Sequence, residues 1–267
     1  MAQTTAAKLE QKMQGVDEAA LEAQVKAMYT QVALDPEGEF HFEMGRALAE
    51  RLGYAMGDLD RIPADAIESF AGVGYYFDLA KLKEGESVLD LGSGSGTDTF
   101  VAALKVGPGG RVVGVDMTDE QLAKAERLRS SGGFANVVYQ KGHIEALPFE
   151  DASFDAVISN GVINLAPDKA AVFREAARVL APGGRLALAD IVTEAQLPDG
   201  VTCNADLWAA CIGGAMQQDD YRAAIEGAGL RVEEMRTNDA YAFISDNAKG
   251  AQKKWGVKSV SLVAVKP

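Results

Sequence analysis

The residues best placed to do chemistry sit together in Val88-Leu89-Asp90-Leu91-Gly92-Ser93-Gly94-Ser95-Gly96-Thr97. A glycine loop that follows a strand and opens a helix lets a ligand come close to the backbone. The spacing is G-x-G-x-G, not the G-x-G-x-x-G that seats a dinucleotide pyrophosphate. No Lys-Ser/Thr follows, so it is not a phosphate-binding P-loop either. Asp90 stands two residues before the first glycine, where a carboxylate would repel phosphate and suit a cation. Asp116 lies 20 residues past Gly96, at the end of the next strand, where an acid can hold a ribose diol. Two acidic anchors around an open glycine loop fit a cationic nucleoside.

The elements that must position these groups are short apolar runs alternating with amphipathic helices. Strands are expected at 87–91, 111–116, 137–139, 154–159 and 185–189. Helices are expected at 97–106, from Thr118 to about Arg129 with Thr118 and Gln121 as a capping box, and from Pro167 to about Leu180. This alternation predicts an α/β fold, a mostly parallel sheet with helices on both faces. Residues 1–80 carry no convincing strand and read as an N-terminal helical cap or lid, with an apolar face through Leu9, Met13, Val16, Leu21, Val25, Met28 and Val32. A second helix spans Phe42–Leu52. The main domain covers 81–267, with a lid insertion at about 193–228 holding helices near 205–212 and 219–228. Strands at 230–235 and 257–265 close the chain.

Composition excludes several partners. The chain has 267 residues, with 26 Lys+Arg against 39 Asp+Glu and a net charge of −13. With no basic stripe, neither nucleic acid nor an anionic membrane is an expected partner. No apolar run reaches the roughly 18–20 residues that span a bilayer. The N-terminus lacks the basic and apolar regions of a secretion signal. Two cysteines, Cys203 and Cys211, are too few for a disulfide framework. A reducing cytoplasm is the expected setting.

With these motifs the chain, from about residue 70 to its end, resembles the class I S-adenosylmethionine-dependent methyltransferases. The resemblance implies a seven-stranded, mostly parallel Rossmann-like sheet whose last strand is antiparallel, and S-adenosyl-L-methionine as cofactor. It assigns Asp90, Gly92, Ser93, Gly94 and Gly96 to the methionine-side loop, Asp116 to the ribose and Met117 to the adenine face. His143, Ile144 and Glu145 would form the adenine-edge segment. Asn160 would line the methyl-donating end of the fourth strand.

Longer strings resemble one branch, the arsenite methyltransferases: Gly114-Val115-Asp116-Met117-Thr118, Ser159-Asn160-Gly161-Val162-Ile163-Asn164-Leu165-Ala166-Pro167-Asp168-Lys169, and Leu207-Trp208-Ala209-Ala210-Cys211-Ile212-Gly213-Gly214-Ala215. That family binds trivalent arsenic through cysteine thiolates, soft ligands for a soft centre. Here Cys211 matches, Gly161 occupies the fourth-strand cysteine position, and Cys203 is additional. If 203–211 were one straight helix, the two thiols would lie about 12 Å apart along its axis. A glycine at 161 is expected to leave room beside the methyl donor for a bulkier substrate. Cys211 and Asn164 are the candidate catalytic, substrate-positioning residues. Asn160, Gly161, Trp208 and Cys203 are the candidate substrate contacts, and no protein-bound metal is expected.

The expected function is methyl transfer to a small-molecule acceptor by a monomer or homodimer. Methyl transfer needs chiefly positioning and water exclusion. Two alternatives keep the cofactor: another reaction, such as hydrolysis or dehalogenation, aided by a fixed sulfonium charge, or non-catalytic cofactor binding.

Overall fold

A computed structural model describes residues 18–198, 201 and 212–267. Its strands are β1 (Ser87–Leu91), β2 (Arg111–Asp116), β3 (Val137–Lys141), β4 (Phe154–Asn160), β5 (Leu180–Thr193), β6 (Met216–Gln217), β7 (Arg231–Thr237) and β8 (Lys258–Val265). The sheet order is β3-β2-β1-β4-β5-β8-β7, with β6 beside β5. All pairs are parallel except those of β8, which runs antiparallel to β5 and β7. The sheet thus has eight strands where seven were expected. The addition is the two-residue β6, paired through Val192 and Met216, too short to carry a period.

β1 sits at the reversal of strand order, between β2 and β4, and in register with both: Leu91 pairs with Val115 and with Ser159. The carboxyl ends of β1, β2 and β4 therefore share one edge, the position at which open α/β sheets bind ligands. β1 and β4 are buried apolar runs because helices cover both faces.

Among the described residues ten α-helices flank the sheet: α1 (Glu18–Leu34), α2 (Arg46–Leu52), α3 (Met56–Leu59), α4 (Ala64–Glu68), α5 (Phe77–Ala80), α6 (Thr97–Val106), α7 (Asp119–Gly132), α8 (Lys169–Val179), α9 (Gln218–Gly227) and α10 (Asp246–Trp255). The cap helices are not a separate body. Leu21, Val25, Leu48, Phe70 and Tyr76 join Phe100, Val101 and Ile158 in one apolar cluster. α1 is tied to α7 by polar bonds: Thr30 Oγ1 donates to Glu120 (3.0 Å), Gln121 Nε2 to the Tyr29 carbonyl (2.8 Å), and Lys124 Nζ to the Ala33 carbonyl (3.3 Å).

Several local expectations are corrected. The Thr118–Gln121 capping box does not form: Thr118 makes no side-chain cap, and Asp116 Oδ1 accepts its N–H (2.8 Å). Gln121 is drawn away to Ser95 and Tyr29. α8 starts at Lys169, not Pro167, because Asp168 caps it by accepting the Ala171 N–H at 2.9 Å. α2 starts at Arg46 behind Gly45, whose φ of 86° breaks the expected 42–52 helix. Residues 205–211 of the predicted 205–212 helix, and Leu9, Met13 and Val16 of the expected apolar face, lie outside the described residues.

Candidate active site

The glycine loop is held open by three positive-φ residues. Gly92 (φ 68°), Gly94 (φ 52°) and Gly96 (φ 99°) lie in the left-handed region that side-chain-bearing residues avoid. The N–H groups of Gly92 and Ser93 donate to the Val115 carbonyl at 2.8 and 2.9 Å, anchoring the loop to β2. A Cβ on Gly92 would stand 2.5 Å from Val162. Gly94 N–H donates to Asp116 Oδ2 (2.9 Å), so Asp116 spans the loop and the start of α7 with its two oxygens. Gly96 caps α6 from a buried position.

Beneath the loop are two buried carboxylates. Asp90 accepts from Thr99 Oγ1 at 2.6 Å. Burial, then the nearby Asp98 charge, push its carboxyl well above the usual range. Asp98, on α6, accepts from Tyr54 OH (2.5 Å), Tyr76 OH (2.8 Å) and Asn160 Nδ2 (3.0 Å). Burial raises Asp98 while these donors pull it back. Asp116 is raised by burial as well, against the Thr118 and Gly94 N–H bonds. A cation entering here would favour ionised carboxylates and be favoured by them.

Asn160 connects β4 to the chain crossing it. Its Oδ1 accepts the N–H of Val73 (2.8 Å) and Gly74 (3.3 Å). Its Nδ2 lies 3.0 Å from each of Tyr54 OH, Gly74 O and Asp98 Oδ2. It borders the cavity, but its polar atoms are already engaged.

These groups surround a cavity of about 460 Å³, within the size range of small-ligand sites. Of the sequence-predicted residues, Asp90, Gly92, Ser93, Gly94, Asp116, Met117, His143, Ile144, Glu145 and Asn160 line it. Ser93 borders the cavity, and its Oγ is buried without a hydrogen-bond partner. Burial raises the Glu145 carboxyl. Leu21, Glu22, Val25 and Tyr29 of α1 contribute to the same enclosure, so the cap closes over the loop. Among the described residues that line the cavity there is no Lys or Arg.

One expected substrate contact, Gly161, and one expected positioning residue, Asn164, are placed outside the cavity lining. The room expected at Gly161 is taken: a Cβ there would meet Val73 Cγ1 at 3.2 Å, because residues 70–74 cross the end of β4. Asn164 is fully buried, and its backbone N–H bonds to Asp190; it is not part of the cavity lining. Cys203, Trp208 and Cys211 lie outside the described residues. Asp98, Tyr54 and Tyr76 escape the sequence reading. An acid in the first helical turn reads as an ordinary N-terminal charge, and the two tyrosines fall in a region without period. Among the described residues no group of three or more His, Cys, Asp or Glu could hold a metal ion. None of their helices is long and apolar enough to cross a membrane.

The arrangement can hold a ribose at Asp116, a flat ring between Met117 and the 142–145 segment, and a positive charge over Asp90 and Asp98. A family profile described as methyltransferase domain matches residues 82–229. The arsenite methyltransferase of Halobacterium salinarum is 44% identical over 199 residues, 74% of this chain and 51% of its own length. That of Aquipseudomonas alcaligenes is 47% identical over 151 residues, 52% of this chain and 42% of its own. The chain thus spans about half the length of these curated relatives. The crystal structure of an arsenic(III) S-adenosylmethionine methyltransferase from Chlamydomonas reinhardtii superposes with a TM-score of 0.66 at 33% identity, covering 84% of this chain and 74% of that one.

Proposed function

We propose a function from one premise: the chain belongs to the class I S-adenosylmethionine-dependent methyltransferases, in the arsenite methyltransferase branch. It transfers a methyl group to a small-molecule acceptor, and trivalent arsenic is the acceptor its relatives name. The observation that carries this reading is the pairing of an open glycine loop with two buried carboxylates along one cavity. That cradle fits a cationic nucleoside and would reject a phosphate.

When bound, the cofactor supplies an electrophilic methyl carbon on a positively charged sulfur. The chain's own residues supply position. Asp116 would accept from the ribose hydroxyls while keeping the Gly94 loop in place. Met117 and Ile144 would cover the adenine faces. Asp90 and Asp98 would balance the positive groups, and Tyr54 and Tyr76 hold Asp98 fixed. The α1 residues shed water from the cavity, which strengthens each of these charge interactions. Thiolates for arsenic would come from Cys203 and Cys211, the chain's only cysteines.

The test has two arms. Calorimetric titration with S-adenosylmethionine and S-adenosylhomocysteine should show one site per chain. Labelled-methyl transfer is then measured with arsenite plus a thiol, with thiols alone and with a panel of small organic acceptors. Binding with no transfer to any acceptor would refute methyl transfer; no binding would refute the cofactor site itself.

A further inference from the structure

Behind the wall formed by residues 165–168 lies a charged cluster that does not face the cavity. Asp190, 1% exposed, sits in β5. It accepts Tyr221 OH (2.7 Å), from α9, on Oδ2 and the Ile191 N–H (2.8 Å) on Oδ1. The Asn164 backbone N–H, from the 3-10 turn Ile163–Leu165, also donates to it. Lys169, 5% exposed, is the first residue of α8, an end of the helix dipole where a cation is disfavoured. Its Nζ donates to the Ala166 carbonyl (2.9 Å).

Leu165, Ala166, Pro167 and Asp168 line the cavity. Asp190 therefore ties β5 to α9 and to the turn, and Lys169, bonded to the Ala166 carbonyl at the start of α8, is near enough for the two charges to act on each other. The charges facing Lys169 are Asp190, Glu145 and Asp168; those facing Asp190 are Lys169 and the Tyr221 hydroxyl.

Keeping this pair ionised is unfavourable to folding. Burial pushes Asp190 up to about 6, against the pull of Lys169 and its hydrogen bonds. Burial likewise lowers Lys169 to about 8. A raised acid means the folded chain holds that proton more tightly than the unfolded one, so the stability it adds is complete below the ordinary carboxylate range and lost as pH rises through about 6. A lowered lysine works the other way: its contribution grows as pH rises past about 8. Between those values both groups are charged and both cost stability. Buried ion pairs of this kind are often replaced by apolar side chains without loss.

We propose that Asp190, Lys169 and Tyr221 are positioning residues that hold the 163–168 segment as a wall against the bound cofactor and acceptor. The proposal rests on reading the cavity as the cofactor site. Its test compares cofactor affinity with stability in the 267-residue chain. S-adenosylhomocysteine binding by calorimetry and thermal unfolding are measured for the wild type, Tyr221→Phe, and the double variant Lys169→Met/Asp190→Asn. The double variant should unfold at the same or a higher temperature, yet bind about tenfold more weakly. Tyr221→Phe, which strips one donor from a buried carboxyl and stays close in volume, should lower the melting temperature by several degrees and weaken binding, measured well below melting, about three- to fivefold. A double variant that loses melting temperature and affinity together marks a purely structural cluster, and that result overturns the proposal. So does affinity within twofold of wild type in both variants. If the double variant does not fold, Tyr221→Phe decides alone. A wild type that binds no S-adenosylhomocysteine refutes the cofactor reading and this inference with it, a result distinct from the others.

Discussion

Replacing Asn160 with alanine is expected to destabilise the protein even with no ligand present. The side chain satisfies the N–H groups of Val73 and Gly74 and the Gly74 carbonyl, and it braces Tyr54 and Asp98. Tyr54 and Asp98 keep each other, and Asp98 keeps Tyr76. The groups left alone are those of residues 73 and 74, buried beside Gly161. Orphaning a buried polar group costs about 1–3 kcal/mol, and water entering the vacated space recovers part of it. A net loss of about 3 kcal/mol follows, or a melting temperature lower by about 6–12 °C for a chain of this size. Denaturant unfolding and calorimetry on the ligand-free protein measure both. Asn160→Asp gives an independent check. It keeps the acceptor for Val73 but sets a third carboxyl against Asp98 and Asp90. Burial beside two acids raises its pKa, so the defect is full when that carboxyl is ionised and shrinks as pH falls through its raised value, when it can donate to Asp98. If Asn160→Ala unfolds within 1 kcal/mol of wild type while transfer is lost, Asn160 is a ligand contact and not a latch, and the reasoning fails.

Three further outcomes are expected. Gly92→Ala forces a side chain into the left-handed region and against Val162; it should lower stability by about 1–2 kcal/mol and weaken S-adenosylmethionine binding at least tenfold, and unchanged titration would contradict the cradle. Gln121→Ala cuts the link from Ser95 through Gln121 to the Tyr29 carbonyl, so residues 18–34 should be cleaved faster by protease. Cofactor should restore protection, and equal cleavage rates would show that the link does not hold the roof. Asp90 and Asp98 are raised by burial and would be lowered by a bound cation, so binding S-adenosylmethionine should release protons and tighten as pH rises toward their ligand-free values. Calorimetry in buffers of different ionisation heat reads the release, and proton uptake would reverse the assignment.

The parts of this site that are legible in the sequence are those whose chemistry is local. Gly92, Gly94 and Gly96 follow a strand and open a helix, and all three take the positive φ for which only glycine is suited. Asp116 sits where β2 ends. What escapes is long-range. Asp98 gains its meaning from Tyr54, Tyr76 and Asn160, which lie 44, 22 and 62 residues away, and the first two come from a cap without a clear period. Gly161 shows the opposite error. A glycine reads as empty space, but whether space exists depends on Val73, brought over it from 88 residues upstream in the chain order by the Asn160 latch. Gln121 belongs to a valid local motif that a tertiary partner outbids.

The acid excess changes character when it is followed into the fold. Most of the −13 charge is surface, where single charges matter little. Asp90, Asp98 and Asp190 are buried, and each is held at a raised pKa by its surroundings. The two groups solve that problem differently. Asp190 has a built-in cation in Lys169; among the described residues Asp90 and Asp98 have only hydroxyls and an amide, beside a cavity whose lining has no Lys or Arg. A fold that already uses one internal lysine to balance a buried aspartate, and leaves two others without one at the mouth of a glycine loop, leaves the missing charge to be supplied by what binds there.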